Sequence, residues 1–548
     1  MMFGDNLPLD KALLKVHNYD PIEEVSLWYQ IEDCHDCSLI MAGSILPNSN
    51  ITTLIDTKYR VTLQARRFKD EAKLCTIPYR WFGDQGEYLM KIRQSVNETS
   101  GWMCKISNTD IVARNNFYPI LAVLAFYIFI SALWFLKRRF FRKHSVNSSL
   151  RSNRLKSLDA FRGMTIILMI FVNYGGGGYE FFEHKPWFGL TLADCVFPWF
   201  ILIMGISLSL SIQSRVKKGF KTFPLWCDIL SRSLKLFLIG LCLNSNRSYL
   251  SSLRIPGVLQ RFGLSYFFVA SFRLLSCTLY QRKYAGTEDD DNPPNRVSKR
   301  KKLLIYIPEI FLYSTCIIIY GWTTLFWKYS ETCPPGYQGP GGLHKESSYF
   351  NCTGGAANFI DRTILGQDHM YKRATSTSVY KNQIPHDPEG ILGTTMSILL
   401  TGLGAIAGDL LIRVNNARSR ILWWSLMSFI LGLLTLILSR ASIIPICKNL
   451  WSFTFITSTG ALGLIIFASF HWFIDIWGIW KQGKPLIYPG MNSIVLYVGH
   501  MVTAGYFPFY FGVDNTSHYQ LLFRDLVGVN LWLIISFLMA KRKIFITL

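Results

Sequence analysis

Phe117-Tyr-Pro-Ile-Leu-Ala-Val-Leu-Ala-Phe-Tyr-Ile-Phe-Ile-Ser-Ala-Leu-Trp-Phe-Leu136 runs for twenty residues without a charge, and Lys137, Arg138, Arg139, Arg142 and Lys143 follow at once. A helix rises about 1.5 Å per residue, so roughly 20 apolar residues cross a hydrocarbon core about 30 Å thick. The stretch therefore reads as a membrane span closed by a basic anchor. Comparable runs follow at Ser157–Tyr174, Leu190–Ile212, Leu225–Asn244, Ile255–Leu275 and Leu303–Trp327. Others lie at Ile391–Ile412, Ile421–Leu438, Phe453–Phe473, Leu486–Ala504 and Leu521–Ala540, which makes eleven. The fold class expected is an all-α polytopic membrane protein.

Composition agrees. The 548 residues are 50% hydrophobic and 15% aromatic but only 17% charged, against about a quarter charged in a soluble domain. This excludes an ordinary soluble enzyme, and the hydrophobicity excludes a disordered chain. The net charge of +22 is explained by topology rather than by nucleic acid. Basic residues collect in alternate loops: Arg215, Lys217, Lys218 and Lys221, then Arg282 to Lys302, then Arg413, Arg418 and Arg420, then Lys481 and Lys484, and finally Lys541 to Lys543. Lys and Arg favour cytoplasmic loops. This places the C-terminus in the cytosol and residues 1–116 in a lumen, ahead of a membrane domain spanning 117–548.

The sequons at Asn50, Asn97, Asn246, Asn351 and Asn515 all fall on that luminal side, whereas Asn147 falls in a cytosolic loop. Luminal placement makes Cys34, Cys37, Cys75, Cys104, Cys333 and Cys352 disulfide candidates. Cys34-His-Asp-Cys37 could open a zinc site, but no second C-x-x-C follows, so no metal is expected. Alternation in Arg60-Val-Thr-Leu-Gln-Ala65 points to a small β-rich N-terminal domain. Met1 to Lys15 holds no apolar signal core, so this segment is expected to lack its natural leader. A long Gly-, Pro- and Tyr-rich luminal loop covers about 328–390, and a mobile cytosolic linker about 282–302.

Ionisable groups near spans are expensive and mark functional sites. The strongest cluster runs from Asn173 through Gly175-Gly-Gly-Gly178 to His184, with Asp194 opening the next span. His184 can act as a general base or as a nucleophile in acyl chemistry. Asn173 can donate to a carbonyl or oxyanion, and Asp194 can orient the imidazole from behind. Asp159 and Arg162, three apart, share a helix face. Arg254 and Arg261 flank a Pro-Gly pair, and arginine suits phosphate or sulfate. Lys448-Asn-Leu-Trp451 lies on a luminal rim. Tyr488-Pro-Gly-Met-Asn492 breaks the tenth span and implies a cavity that satisfies the freed backbone.

Several long motifs resemble one family, heparan-α-glucosaminide N-acetyltransferase. They are Arg154-Leu-Lys-Ser-Leu-Asp-Ala-Phe-Arg-Gly-Met-Thr165, Phe171-Val-Asn-Tyr-Gly-Gly-Gly177, Gly189-Leu-Thr-Leu-Ala-Asp-Cys-Val-Phe-Pro-Trp-Phe200 and Leu253-Arg-Ile-Pro-Gly-Val-Leu-Gln-Arg261. Further along come Cys333-Pro-Pro-Gly-Tyr-Gln-Gly-Pro-Gly-Gly342, Asn351-Cys-Thr-Gly-Gly-Ala-Ala357, Asp387-Pro-Glu-Gly-Ile-Leu-Gly-Thr394, Lys448-Asn-Leu-Trp451 and Tyr488-Pro-Gly-Met-Asn-Ser-Ile494. The resemblance implies a homodimer in the lysosomal membrane that carries acetyl from cytosolic acetyl-CoA to the terminal glucosamine of luminal heparan sulfate. It puts the family's active-site histidine on His184 and its partner asparagine on Asn173. Acetyl-CoA bears phosphates, which makes Arg162 and Arg261 candidates to bind it. The sulfated acceptor makes Arg254 and Lys448 candidates on the luminal side. Direct transfer and an acetyl-histidine intermediate both fit these residues. A free histidine has a pKa of about 6.5, so burial is expected to keep His184 neutral in an acidic lumen.

Overall fold

The computed structural model describes residues 7–94, 101–109, 116–140, 155–244, 249–284, 306–372, 374–514 and 516–546. Asn97, Asn147, Asn246 and Asn515 lie outside the described residues, as does the linker from 285 to 302.

Residues 11–108 form eight strands in two four-stranded sheets. One has the order β4 (Asn50–Asp56), β1 (Lys11–Asn18), β7 (Glu87–Gln94), β8 (Trp102–Asn108). The other has the order β3 (Ile40–Ile45), β2 (Val25–Ile31), β5 (Val61–Arg67), β6 (Lys73–Arg80). Alternate residues such as Leu14 and Val16 on β1, Val61 and Leu63 on β5, and Met90 and Ile92 on β7 share one core between the sheets. A Cys75–Cys104 disulfide joins β6 to β8, and Cys34–Cys37 and Cys333–Cys352 also form disulfides.

The rest is helical. The helices are α1 (Tyr118–Phe140), α2 (Lys156–Tyr174), α3 (Leu192–Lys217), α4 (Thr222–Asn244), α5 (Val258–Tyr284), α6 (Ile307–Leu325), α7 (Gly355–Leu365), α8 (Ser376–Tyr380), α9 (Ile391–Arg413), α10 (Ala417–Arg440), α11 (Phe453–Phe470), α12 (Ile487–Met491), α13 (Ser493–Thr503) and α14 (His518–Lys541). Each of the eleven apolar runs lies on helix, yet among the described residues seven helices are long and apolar enough to cross a membrane: α2, α3, α5, α9, α10, α11 and α14. The expected count of eleven is thus not reproduced by that measure. Helix α4 carries Asp228, Arg232 and Lys235, and the tenth run is split at Asn492 into α12 and α13. The break thus falls two residues past Pro489-Gly490, which lie inside α12; Gly490 allows close packing instead, since a Cβ there would sit 1.8 Å from the Asp159 carbonyl oxygen of α2.

The same device holds α3 against α9. A Cβ on Gly404 would lie 2.2 Å from the Leu202 carbonyl oxygen, and one on Gly205 would lie 2.1 Å from that of Thr401. Small residues let helix backbones approach where lipid supplies no hydrophobic drive. Overpacking costs about 1–3 kcal/mol even where side chains can shift, and here the obstacle is backbone. Gly404→Val is expected to lower the melting temperature in detergent by several degrees. Gly432→Val, whose site has nothing within 4 Å, is the control and should leave melting unchanged; equal melting of the two variants would contradict the packing argument.

The 328–390 loop carries α7 and α8 and packs against the β-sheet domain. Tyr380 donates its hydroxyl to the Asp33 carbonyl at 2.7 Å, and the Cys34–Cys37 disulfide shares an apolar cluster with Trp187, Val379, Tyr380, Cys447 and Leu450.

Candidate active site

The segment between α2 and α3 carries the site. Four consecutive glycines, Gly175 to Gly178, all have positive φ (124°, 58°, 69° and 76°), a run that L side chains resist. The turn they make is pinned from α14. The Gly177 N–H donates to Asp525 Oδ2 at 2.8 Å, and His518 Nδ1 meets the Gly177 carbonyl at 2.9 Å. His518 Nε2 also reaches Asp10 of the β-sheet domain at 2.9 Å. Further along, Lys58 pairs with Glu183, and Lys185 pairs with Asp33 at 2.9 Å. His184 is therefore bracketed by two ion pairs to the β-sheet domain.

Asp194 lies in the first turn of α3 with its carboxylate fully buried. Its Oδ2 accepts from the Thr191 N–H at 3.1 Å and lies 3.0 Å from the Thr191 hydroxyl, in a capping box. That leaves Oδ1 to meet His184 Nδ1 at 2.8 Å. A carboxylate on Nδ1 fixes the tautomer and frees Nε2 to take a proton. The His184 ring is enclosed by protein except for the 34% of its side chain that faces a cavity. Burial and the Lys448 charge hold its imidazole below the usual value, against the opposing pull of Asp194. Lys448 Nζ stands 3.7 Å from Asp194 Oδ1, and burial pulls its ammonium down in turn.

The cavity, about 110 Å³, is lined by Asn173, His184, Asp194, Glu389, Lys448 and Trp451 among others. Asn173 Nδ2 lies 2.9 Å from His500 Nε2, while His500 Nδ1 faces the Leu496 carbonyl at 3.0 Å. His500 so accepts one Asn173 hydrogen, and the second points to the weakly accepting Met501 Sδ, 4.0 Å from Nδ2. Met169, Phe197, Val258 and Tyr497 line both this cavity and a larger one of about 270 Å³. Arg162, Ser207 and Arg232 contribute polar atoms to the larger space. It in turn shares Ser211, Ile212, Arg232 and Tyr266 with a third space of about 290 Å³, where Arg215 and Lys235 join the wall. The three spaces thus adjoin in series, from one walled by Arg215, Arg232, Lys235 and Asp228, through a mostly apolar one, to His184. Chemically this passage suits a phosphate-bearing donor with a long uncharged arm, delivered to a base.

A family model described as heparan-α-glucosaminide N-acetyltransferase, catalytic, matches residues 154–281. The chain is 34% identical over an alignment of 596 residues to the heparan-α-glucosaminide N-acetyltransferase of Homo sapiens, covering 98% of this chain and 88% of that protein. It is 33% identical over 599 residues to the protein of the same name from Mus musculus, covering 98% and 89%. The chain belongs to the heparan-α-glucosaminide N-acetyltransferase family. That is a family of acyltransferases, and the His184 cavity sits where the catalytic family model and the rest of this acetyltransferase chain meet: His184, Asn173 and Asp194 lie inside 154–281, Glu389 and Lys448 outside it.

The structure sorts the residues singled out from this acetyltransferase sequence. It brings His184, Asp194, Asn173 and Lys448 to one cavity. Arg162 lines the larger space, and it also contacts Asp159 at 3.2 Å and Ser207 at 2.8 Å. Arg261 lines neither cavity: it is 1% exposed, donates to the Gly390 carbonyl at 2.8 Å and lies over the Trp451 ring. Arg254 does not line the cavity either; Asp387 takes it bidentately at 2.7 and 2.8 Å, and Glu389 takes Nη2 at 2.6 Å. Sequence reasoning missed Glu389 and the Arg232–Lys235 end of the passage. The signal for that end was present, since two cations inside an apolar run demand a polar cavity.

Lys448 gives a pH prediction. Its charge disfavours imidazolium at His184. Replacing it in Lys448→Met removes that repulsion and raises the His184 pKa, so the neutral base is lost at a higher pH. The acid limb of the rate profile is expected to move to higher pH than in wild type; an unmoved limb would remove Lys448 from the electrostatics of His184.

Proposed function

We propose that the chain moves acetyl from acetyl-CoA to the amine of a terminal glucosamine of heparan sulfate, with the donor on the cytosolic side and the acceptor in the lumen of the lysosome. The observation that carries this reading is the His184–Asp194 pair at the inner end of a passage whose other end is basic. The donor's phosphates meet Arg215, Arg232 and Lys235, with Arg162 deeper in; its pantetheine arm follows the apolar wall; its thioester reaches the His184 cavity. The amine lone pair attacks the carbonyl carbon. His184 Nε2 takes the amine proton, while Asn173, giving up its weak 4.0 Å contact with Met501 Sδ, and the Lys448 ammonium donate to the oxygen that becomes negative. The C–S bond then breaks, and the histidine proton passes to the leaving thiolate.

A luminal 1–116 segment and a cytosolic C-terminus follow from the basic loops, and Asn50 and Asn351 support them because both are exposed where a glycan can attach. A homodimer in the lysosomal membrane completes the reading. The test is transfer of labelled acetyl from acetyl-CoA by detergent-solubilised protein to a glucosamine-terminated oligosaccharide, read by mass spectrometry. N-acetylated product supports the proposal. Acetyl on a hydroxyl acceptor alone would point to a different membrane acyltransferase, and sugar flux in liposomes without acetylation would point to a transporter.

A further inference from the structure

We propose that Glu389 is the carboxylate that receives the acceptor's amine, as an ammonium, and so makes this site select primary amines over hydroxyls. The inference rests on the acetyl-transfer reading and assigns the acceptor side of that same cavity.

Two carboxylates line the cavity, Asp194 and Glu389. Both oxygens of Asp194 are taken, Oδ1 by His184 and Oδ2 by Thr191. Glu389 meets Arg254 through Oε2. A carboxylate accepts on two oxygens with about four lone-pair sites, so Glu389 is the carboxylate there with capacity for a further donor. Its side chain is 9% exposed and lines the cavity. Glu389, Lys448 and His184 all line the smaller cavity and none lines the larger one, so Glu389 shares the inner space with the base. The donor's thioester reaches that space, and Glu389 is placed within it to meet the acceptor. A cation approaching there also meets the repulsive Lys448 ammonium, and a carboxylate offsets that. On this path the ammonium gives one proton to Glu389, which breaks an N–H bond and forms an O–H bond. The freed amine attacks the thioester, and His184 takes the second proton as the C–N bond forms. CoA leaves as the thiol, and Glu389 returns its proton to water.

The experiment compares full-length wild type with Glu389→Gln and Glu389→Asp, using acetyl-CoA with two acceptors: a glucosaminide, which is charged at the assay pH, and an aryl amine, which is neutral there. A hydrogen bond to a charged group contributes about 1.5–3 kcal/mol, so the glucosaminide KM in Glu389→Gln should rise at least about tenfold. The loss with the glucosaminide should exceed that with the aryl amine by about tenfold, and Glu389→Asp should recover part of it. Equal losses with both acceptors, or an unchanged glucosaminide KM, would overturn the assignment. Binding needs no turnover: tryptophan fluorescence, with Trp451 in the wall, should show glucosamine but not glucose binding to wild type, and neither to Glu389→Gln. Glucosamine discrimination without any acetyl transfer would sink the reaction and leave the amine site standing. Equal binding of both sugars to wild type would sink the amine site.

Discussion

His184→Ala is expected to lower kcat for acetyl transfer about 10³-fold, with KM for acetyl-CoA within about twofold of wild type. General-base catalysis contributes about 10²–10⁴ in rate. The other ionisable groups on the cavity wall do not replace the imidazole: Asp194 is committed to Thr191, Lys448 is a donor, and on the proposed path Glu389 already holds the proton it took from the ammonium. The donor's affinity should survive, because the passage that holds most of it is lined by residues other than His184. The side chain sits in a loop and not in a helix interface, so folding should survive as well. The variant's melting temperature in detergent and its elution volume establish that. His184→Gln, which keeps a polar side chain of similar reach, should fall nearly as far. Activity within about tenfold of wild type in both folded variants would take His184 out of the chemistry.

The sequence is most transparent where the physics is local. His184 and Asp194 lie ten residues apart, and a carboxylate at the start of an apolar helix needs partners; Thr191 caps one oxygen and His184 takes the other. The β-rich character of the N-terminal segment was visible because the alternate apolar residues Val61, Leu63 and Ala65 of β5 turn to the core. The pairing of β1 with β7 in parallel, across most of that domain, was not, since nothing in either strand encodes the crossover. Helix α4 resists counting as a span for the same reason that it matters. It gives Arg232 and Lys235 to the wall of the passage, and that spends its apolarity. The arginines mislead in a different way. Residue type announces a cation but not its direction, and Arg261 points onto Trp451 and the Gly390 carbonyl. Lys448 and Glu389 reach His184 from segments hundreds of residues away. Their convergence depends on how α9 and α11 close against α3, set by glycine contacts that no single segment displays.

Asp194→Asn separates orientation from anchoring. The substituted amide can still accept from the Thr191 N–H through its oxygen, so the cap on α3 persists. Its nitrogen then occupies the position of Oδ1, 2.8 Å from His184 Nδ1. An amide nitrogen donates and does not accept, so Nδ1 must accept and the ring proton moves to Nε2. That is the atom that has to take the amine's proton. The wrong tautomer at a comparable carboxylate-bound histidine lowers kcat by about 10⁴, and we expect a loss of about 10²–10⁴ here with KM for both substrates little changed. Lys448 loses its anionic neighbour at the same time, which brings a modest fall in melting temperature. Asp194→Ala removes the cap as well, worth about 1 kcal/mol, and should melt earlier than Asp194→Asn while losing similar activity. The two readings of Asp194 diverge on this pair. If the carboxylate merely anchored α3, activity would track stability, and Asp194→Asn, which keeps the cap, would keep most of its rate. If it sets the tautomer, Asp194→Asn loses its rate with most of its stability intact, and kcat measured alongside melting in the two variants decides between them.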